Sequence, residues 1–431
     1  MSGANVLDCQ GLAGSPALGA VTAGFDLMGV KTLAGFGVQN LLHNRWALPG
    51  EWRVEAEGRG EWTPERDVHF MFGCPPCSGF SLMNQSKGNN RRGMDAAIND
   101  CMRKFGAYAG VVRGPDGRLG PLVAAFESVQ AAGKDGNLLM RELWHKLCRD
   151  TGQRYTLHHV FMSGATVGAA QLRKRYFWVV ARVPFGIESP VVGRVTTYGD
   201  ALSDLAPLPL DWGPQPYVSE PTWWSAPKRN PEGTVSQHNA PHSAHVGRMQ
   251  HLIPYWLPGE YMKDAANRWV EERRGVPPGW DGTVLEKVMT TNYSGPYRVD
   301  PDDMGHVITG NGGFDFVHWE RDGILTVRET GRLMGFPDRW DWSGANSWKV
   351  AYAWQGKQVP VESTTWLAGW VMRSLDGSLP DPWPGHGSGQ VEGEYWYDFT
   401  HDYRAVYHPR FGPGRYEVPR EVREEMDRRP V

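Results

Sequence analysis

Several features are scarce in this chain, and each scarcity narrows the field. Nowhere in its 431 residues is there an apolar run of roughly 18 residues, the least that crosses a bilayer. The start, Met1 to Val6, lacks the charged-then-apolar pattern of a secretion signal. A membrane role and export are therefore not expected. Cysteine is sparse: there are five, Cys9, Cys74, Cys77, Cys101 and Cys148, all before residue 150. An odd count without framework spacing argues for reduced thiols in a cytosolic setting. Cys74 and Cys77 form a C-x-x-C, but two prolines separate them and no second pair follows, so zinc and redox readings are weak. Charge of one sign is also missing. The net charge is only −3, so any basic surface for a nucleic acid must be local. Internal repeats are absent.

What the chain does have is length for two or three domains and an unusual number of tryptophans, 20, many in the second half. Its most informative segment runs from Phe72 to Ser81, Phe-Gly-Cys-Pro-Pro-Cys-Ser-Gly-Phe-Ser. An apolar stretch (Val68, Phe70, Met71, Phe72) delivers Cys77 to a loop stiffened by Pro75 and Pro76. Proline fixes its own φ and pushes the preceding residue extended, so such a thiol is held in place.

Through residue 182 strands and helices alternate. Val6 and Leu7 end a strand at Asp8, and a Gly-rich loop leads to a helix from about Pro16. A second strand is read at Val30 to Leu33, a helix at Val38 to Trp46, and a third strand before Cys77. Ile98, Cys101, Met102 and Phe105 recur at helical spacing, as do Met140, Leu143, Trp144 and Leu147. Leu122 to Phe126 and Tyr176 to Val180 read as further buried strands. The fold class is α/β, a doubly wound Rossmann-like sheet expected to be parallel, with a second, loop-rich domain. Chemistry in such sheets sits at the carboxyl ends of the strands, where Asp8, Cys77 and Glu127 fall. The expected division is residues 1–182 for catalysis and donor binding, 183–345 for target recognition, 346–376 for a helix completing the sheet domain, and 377–431 for a C-terminal extension.

An ordered motif set adds specificity. Gly73-x-Pro75-Pro76-Cys77-x-Gly79-Phe80-Ser81 is followed by Arg92-Gly93, by Phe126-Glu127-Ser128-Val129 and by Gln171-Leu172-Arg173-Lys174-Arg175. Leu325 to Glu329, Arg332-Leu333-Met334-Gly335-Phe336-Pro337-Asp338 and Gly356-Lys357-Gln358-Val359-Pro360 complete it. The series resembles the DNA cytosine-5 methyltransferase family. That resemblance implies a soluble enzyme that alkylates carbon 5 of a cytosine flipped out of double-stranded DNA. Cys77 would add to carbon 6 of the base, because carbon 5 is too poor a nucleophile without covalent activation. Glu127 would contact the ring nitrogen and exocyclic amine and stabilise the protonated adduct. Arg173 and Arg175, on alternate strand positions and so on one face, would brace the catalytic loop and hold the base oxygen. Ser81 and Gln171 would line the substrate side.

For the donor, S-adenosylmethionine, the resemblance points to Asp8, Gln10, Gly14, Phe36, Asp67, Pro75 and Lys357. This half departs from the family's pattern. Leu12 stands where glycine is usual, Gln10 replaces a phenylalanine, and Leu33 to Gly37 carries no acid for the ribose hydroxyls. Gly356-Lys357 replaces a Gly-Asn pair, and Ser128 an asparagine. An ammonium at Lys357 beside a sulfonium is unfavourable, whereas a carboxylate on the transferred carbon would meet it as a charge-assisted partner. Carboxy-S-adenosylmethionine is such a donor and makes carboxymethyl transfer the alternative to methyl transfer. A catalytically silent DNA-binding homologue and an RNA cytosine methyltransferase are the rivals. In the recognition region Trp223, Trp224, Lys228, Arg229, Arg248, Arg268, Arg273 and Arg274 mix aromatics with cations, as DNA contact surfaces do. His238, His242, His245 and His251 fit no strong zinc spacing, so no metal is expected. The expected state is a cytoplasmic monomer of a bacterial or phage-infected host, with no obligate protein partner.

Overall fold

Phe70, Met71 and Phe72 are all completely buried. A strand that buries successive residues has core on both faces, which places it inside a sheet covered twice. Phe70 and Phe72 pack with Val6, Val30 and Val123 on one side, and Met71 with Leu7, Ala124 and Phe126 on the other. The structure is a computed structural model. It describes residues 3–32, 37–56, 64, 66–81, 93–190, 196–205, 256–272, 275–276, 282–290, 295–310, 315–320, 324–338, 340–342, 344–345, 348–379 and 393–400.

The main sheet contains β1 (Asn5–Cys9), β2 (Asp26–Thr32), β3 (Arg53–Ala56), β4 (Phe70–Gly73), β5 (Val123–Ser128), β6 (Thr156–Ser163), β7 (Lys174–Ala181) and β10 (Glu394–Phe399). The two strands between, β8 (Tyr297–Arg298) and β9 (Phe316–Val317), form a small parallel pair of their own. The eight strands lie in the order β3-β2-β1-β4-β5-β7-β6-β10. All neighbours are parallel except β7, which runs antiparallel to β5 and β6. The direction of winding reverses between β1 and β4, the place where open α/β sheets bind ligands.

Helix α1 (Ser15–Thr22) and the helix Val361–Asp376 cover one face; Asp100–Ala109 and Asn137–Thr151 cover the other. Pro16 sits in the first turn of α1, where its missing N–H costs nothing. The Ser15 hydroxyl donates to the Val359 carbonyl at 2.5 Å and the Thr364 hydroxyl to the Ser15 carbonyl at 3.0 Å. The segment Val359–Asp376 is thus tied to the start of α1.

Four strands depart from expectation. β3 is short and polar, Arg-Val-Glu-Ala, so no apolar run marked it, and the strand before Cys77 is fourth in the chain, not third. β6 carries His158 and His159 in its middle, which broke the apolar pattern. β10 pairs residue for residue with β6, Glu394 opposite Leu157 through Phe399 opposite Met162. Part of the expected C-terminal extension is therefore a strand of the main sheet. The antiparallel β7 corrects the all-parallel reading.

Of the 183–345 region, residues 206–255 lie outside the described residues, and so do Trp223, Trp224, Lys228, Arg229, Arg248 and the four histidines. Arg273 and Arg274 are outside them as well. Arg268 is drawn into ion pairs with Glu260 at 3.0 Å and Glu272 at 3.6 Å. This part is joined to the sheet at Gly305, whose N–H donates to the Ala170 carbonyl (3.0 Å) and whose carbonyl accepts from Leu172 (2.9 Å). A Cβ there would collide with the Ala170 carbonyl, so glycine is required.

Candidate active site

Two loops lie side by side at the reversal point, because β1 and β4 are neighbours with Cys9 opposite Gly73. The loop after β4 carries Cys74, Pro75 and Cys77; the loop after β1 runs from Gln10 to Gly14. On the other side of β4, Phe126 opposite Gly73 brings Glu127 to the same level. Arg175, on antiparallel β7, faces it across the β5–β7 pairing.

Glu127 is 1 % exposed. Its Oε1 forms an ion pair with Arg175, and its Oε2 accepts the Cys74 thiol at 2.9 Å. Cys77 is partly exposed, whereas Cys74 is buried. Burial pushes the Cys77 thiol above its ordinary pKa and the Glu127 charge adds to this. Arg175, Arg173 and a hydrogen bond from the Val129 N–H work in the opposite direction. The net effect is upward, so Cys77 keeps its proton more firmly than a free thiol, and the two guanidinia are the side chains that favour its thiolate. Arg173 is 3 % exposed and donates to the carbonyls of Ile308 (2.6 Å) and Gly356 (2.7 Å). Burial, then the neighbouring Arg175, lower its pKa to about 9, which still leaves it protonated at neutral pH. The structure thus brings Cys77, Glu127, Arg173 and Arg175 together.

Other sequence-derived positions scatter more. Asp8 is fully buried; burial raises its pKa well above the usual carboxylate range, although the Ala17 N–H donates to its Oδ2 at 3.1 Å. Gln10 and Leu12 adopt left-handed backbone (φ 69° and 51°), so the loop turns sharply where glycine is otherwise suited. The Gln10 amide is committed to the Cys101 carbonyl at 3.1 Å. Gly14 has φ 111° at the start of α1, and Pro75 is buried in the nucleophile loop. Lys357 ends the helix Trp348–Lys357 with its side chain exposed, while its carbonyl lies 3.9 Å from Cys74 Sγ. Ser81 is half-buried just beyond the Cys77 turn. Phe36 lies outside the described residues.

Two positions do not join the site. Asp67 is exposed and precedes β4, at the amino end of the sheet and away from the two loops. The carboxylate at the carboxyl end of the neighbouring strands is Glu55 on β3, whose Oε2 is buried without a hydrogen bond among the described residues. Gln171 is fully buried and donates to the Leu333 carbonyl at 2.7 Å, so it faces packing, not a cleft. The segment it holds is structural as well. Thr326 and Glu329 make a reciprocal N-terminal cap, and Asp338 accepts from Arg328 at 2.9 Å and also from Arg332. Burial works against the Asp338 carboxylate, yet these arginines hold its pKa below the ordinary value.

Residues 55–371 match the family model for C-5 cytosine-specific DNA methylase, well over half of the chain. The chain belongs to that family. It is a DNA cytosine-5 methyltransferase. No curated protein matches it significantly. Among solved structures it resembles a DNA modification methyltransferase encoded within an E. coli prophage, with TM-score 0.57 and 15 % identity over 86 % of this chain and 99 % of the other. The Entamoeba histolytica methyltransferase EhMeth is similar at TM-score 0.50 and 13 % identity, over 88 % and 100 %. The S. pombe Dnmt2 methyltransferase aligns at TM-score 0.49 and 16 % identity, over 86 % and 99 %. Identities this low speak for the fold alone.

Methyl transfer in this family draws on an S-adenosylmethionine-type donor, and the methylase's switch-point loops fit one. The Gly37 and Leu12 backbones approach so closely that a Cβ at Gly37 would strike the Leu12 carbonyl. Asp8 Oδ1 under the loop after β1, Gln358 Nε2 beside Ser15 and Glu55 Oε2 on β3 are buried without hydrogen-bond partners among the described residues. Gln358 is anchored there by its Oε1, which accepts the Ser15 N–H at 2.8 Å. Sequence reasoning missed the place of Cys74 beside Glu127. Cys74 carried a signal, since it sits inside the same motif as Cys77.

Proposed function

We propose that this methylase transfers a methyl group from S-adenosylmethionine to carbon 5 of a flipped-out cytosine in double-stranded DNA, with Cys77 as nucleophile. The observation that carries the reading is the convergence of a partly exposed thiol, a buried carboxylate and two guanidinia at the carboxyl ends of β4 and β5 and the amino end of antiparallel β7. The Cys77 thiolate adds to carbon 6, and the electron pair released into the ring makes carbon 5 nucleophilic. Glu127, held between Arg175 and Cys74, contacts the ring nitrogen and exocyclic amine and steadies the adduct as its charge changes. When bound, the donor supplies the electrophilic methyl group. Loss of the carbon 5 proton and expulsion of Cys77 then restore the aromatic ring and the free thiol. Asp8, Gly14, Pro75, Glu55 and Gln358 would hold the donor.

A second reading concerns the donor. Lys357 replaces the asparagine usual beside the transferred group, and its backbone reaches the reaction centre through the carbonyl near Cys74. A carboxylate-bearing donor would meet that ammonium in a charge-assisted contact, and the product would be 5-carboxymethylcytosine.

Nucleoside mass spectrometry of unmodified DNA, and of RNA, incubated with each donor separately decides between them, with Cys77→Ser as the blank. A methyl increment on DNA cytosine with S-adenosylmethionine alone is expected. A carboxymethyl increment would favour the second reading, and Lys357→Asn should then shift preference back toward S-adenosylmethionine. Silence with both donors on DNA, despite tight binding, would overturn the proposal.

A further inference from the structure

We propose that Cys74 is a positioning residue for Glu127, fixing the orientation of its carboxylate through an S–H···Oε2 hydrogen bond. The proposal rests on the reading of Glu127 as the group that contacts the base. Cys74 is three residues from the nucleophile but in a different setting. It is 2 % exposed, its sulfur lies 2.9 Å from Glu127 Oε2, and it also lies 3.9 Å from the Lys357 carbonyl.

Several observations point the same way. Burial first, then the charge of Glu127 and their hydrogen bond, push the Cys74 thiol well above its ordinary pKa. At neutral pH it is thus a proton-bearing donor and not a second nucleophile. Among the described residues it is the one hydrogen-bond donor to Oε2, while Arg175 pairs with Oε1. A carboxylate gripped at one oxygen alone can rotate about its last bond. Gripped at both, it presents its remaining lone pairs in one direction. Thiols are weak donors. Cys74 can therefore orient the carboxylate without outcompeting the exocyclic amine of an incoming base. The contact to Lys357 also joins this carboxylate to the turn that Arg173 holds at the Gly356 carbonyl.

The test compares Cys74→Ala, which removes the donor, with Cys74→Ser, which restores an O–H. Each is assayed with the full chain for DNA affinity and for the rate of covalent adduct formation on a duplex containing 5-fluorocytosine. S-adenosylmethionine is supplied, and once the methyl group is on carbon 5 the fluorine there cannot leave as the proton does, so Cys77 is not expelled and the adduct persists to be counted on a denaturing gel. Cys74→Ala is expected to slow adduct formation by roughly 10- to 100-fold, the range for losing a hydrogen bond to a charged group. DNA affinity and melting temperature should stay close to wild type, and Cys74→Ser should recover most of the rate. If alanine matches wild type, or serine is as slow as alanine, Cys74 is packing only and the proposal falls. A wild-type enzyme that binds DNA yet forms no adduct would instead overturn the underlying reading of Cys77 and Glu127, and this proposal with it.

Discussion

Arg173 and Arg175 stand two positions apart, and the alternation of a strand sends both toward the same cluster, as sequence spacing suggested. Their partners separate their tasks. Arg175 pairs with the Glu127 carboxylate, whereas Arg173 donates to two main-chain carbonyls, Ile308 and Gly356, from distant parts of the chain. Removing Arg173 leaves two carbonyls without their donor, at about 1–3 kcal/mol for each that stays dry. Arg173→Ala should therefore lower the melting temperature by several degrees. Arg175→Ala should retain more of the melting temperature but lose adduct formation, because Glu127 is left with the Cys74 thiol alone. The measurement is a paired thermal melt and single-turnover assay of both variants. Equal melting losses would show that the two guanidinia share one role.

At the scale of elements, what was legible depended on where each strand's partners lie in sequence. β4 and β5 announced themselves through continuous apolar residues, and Cys77 and Glu127 followed at their ends. β6 did not, because His158 and His159 looked polar. Both are in fact buried: His159 stands between the Tyr176 hydroxyl at 2.9 Å and Glu394 at 2.9 Å. Glu394 comes from a strand 235 residues away, invisible to any local pattern. The same blindness hid Glu55, whose strand is four residues long, and misplaced Asp67. The buried histidines carry a pH consequence. Burial lowers His159 to about 4 despite Glu394, and lowers His158 to about 3. Both are neutral in the folded state above those values, while the unfolded chain protonates them below about 6.5. The unfolded state then binds more protons, so stability is complete above pH ~6.5 and is lost as pH falls toward 4. His159 alone accounts for roughly 3 kcal/mol across that window. Melting curves between pH 7 and 4 should show this decline, and His159→Gln should be less stable at pH 7 but less steep in acid. An unchanged slope in the variant would assign the acid sensitivity elsewhere.

For the whole molecule, the main sheet is open, with β3 at one edge and β10 at the other. The early motifs build the switch point, and the helix Val361–Asp376 packs against α1 beside it. Its far edge was not anticipated. β10 lays six residues along β6, so backbone groups that would otherwise form an open edge are paired. Its Glu394 is 1 % exposed and accepts both Arg141 at 2.9 Å and His159 at 2.9 Å. Trp396 stacks on His159 with ring centroids 3.9 Å apart and on Phe161 at 5.8 Å. Deleting residues 393–431 would strip all of this at once, leaving a buried histidine without its acceptor, aromatic faces bare and an unpaired strand beside β7. The truncated enzyme should melt lower, and light scattering should show association through the new edge. Glu394→Gln separates the causes, since it keeps the strand but removes the charge that Arg141 and His159 satisfy. It should lower the melting temperature without inducing association. The active-site groups on β5 and β7 are separated from this edge by β6, so adduct formation by either variant, measured well below its melting temperature, should remain near wild type. A truncated chain that melts like the full one would mean that β10 only decorates the sheet.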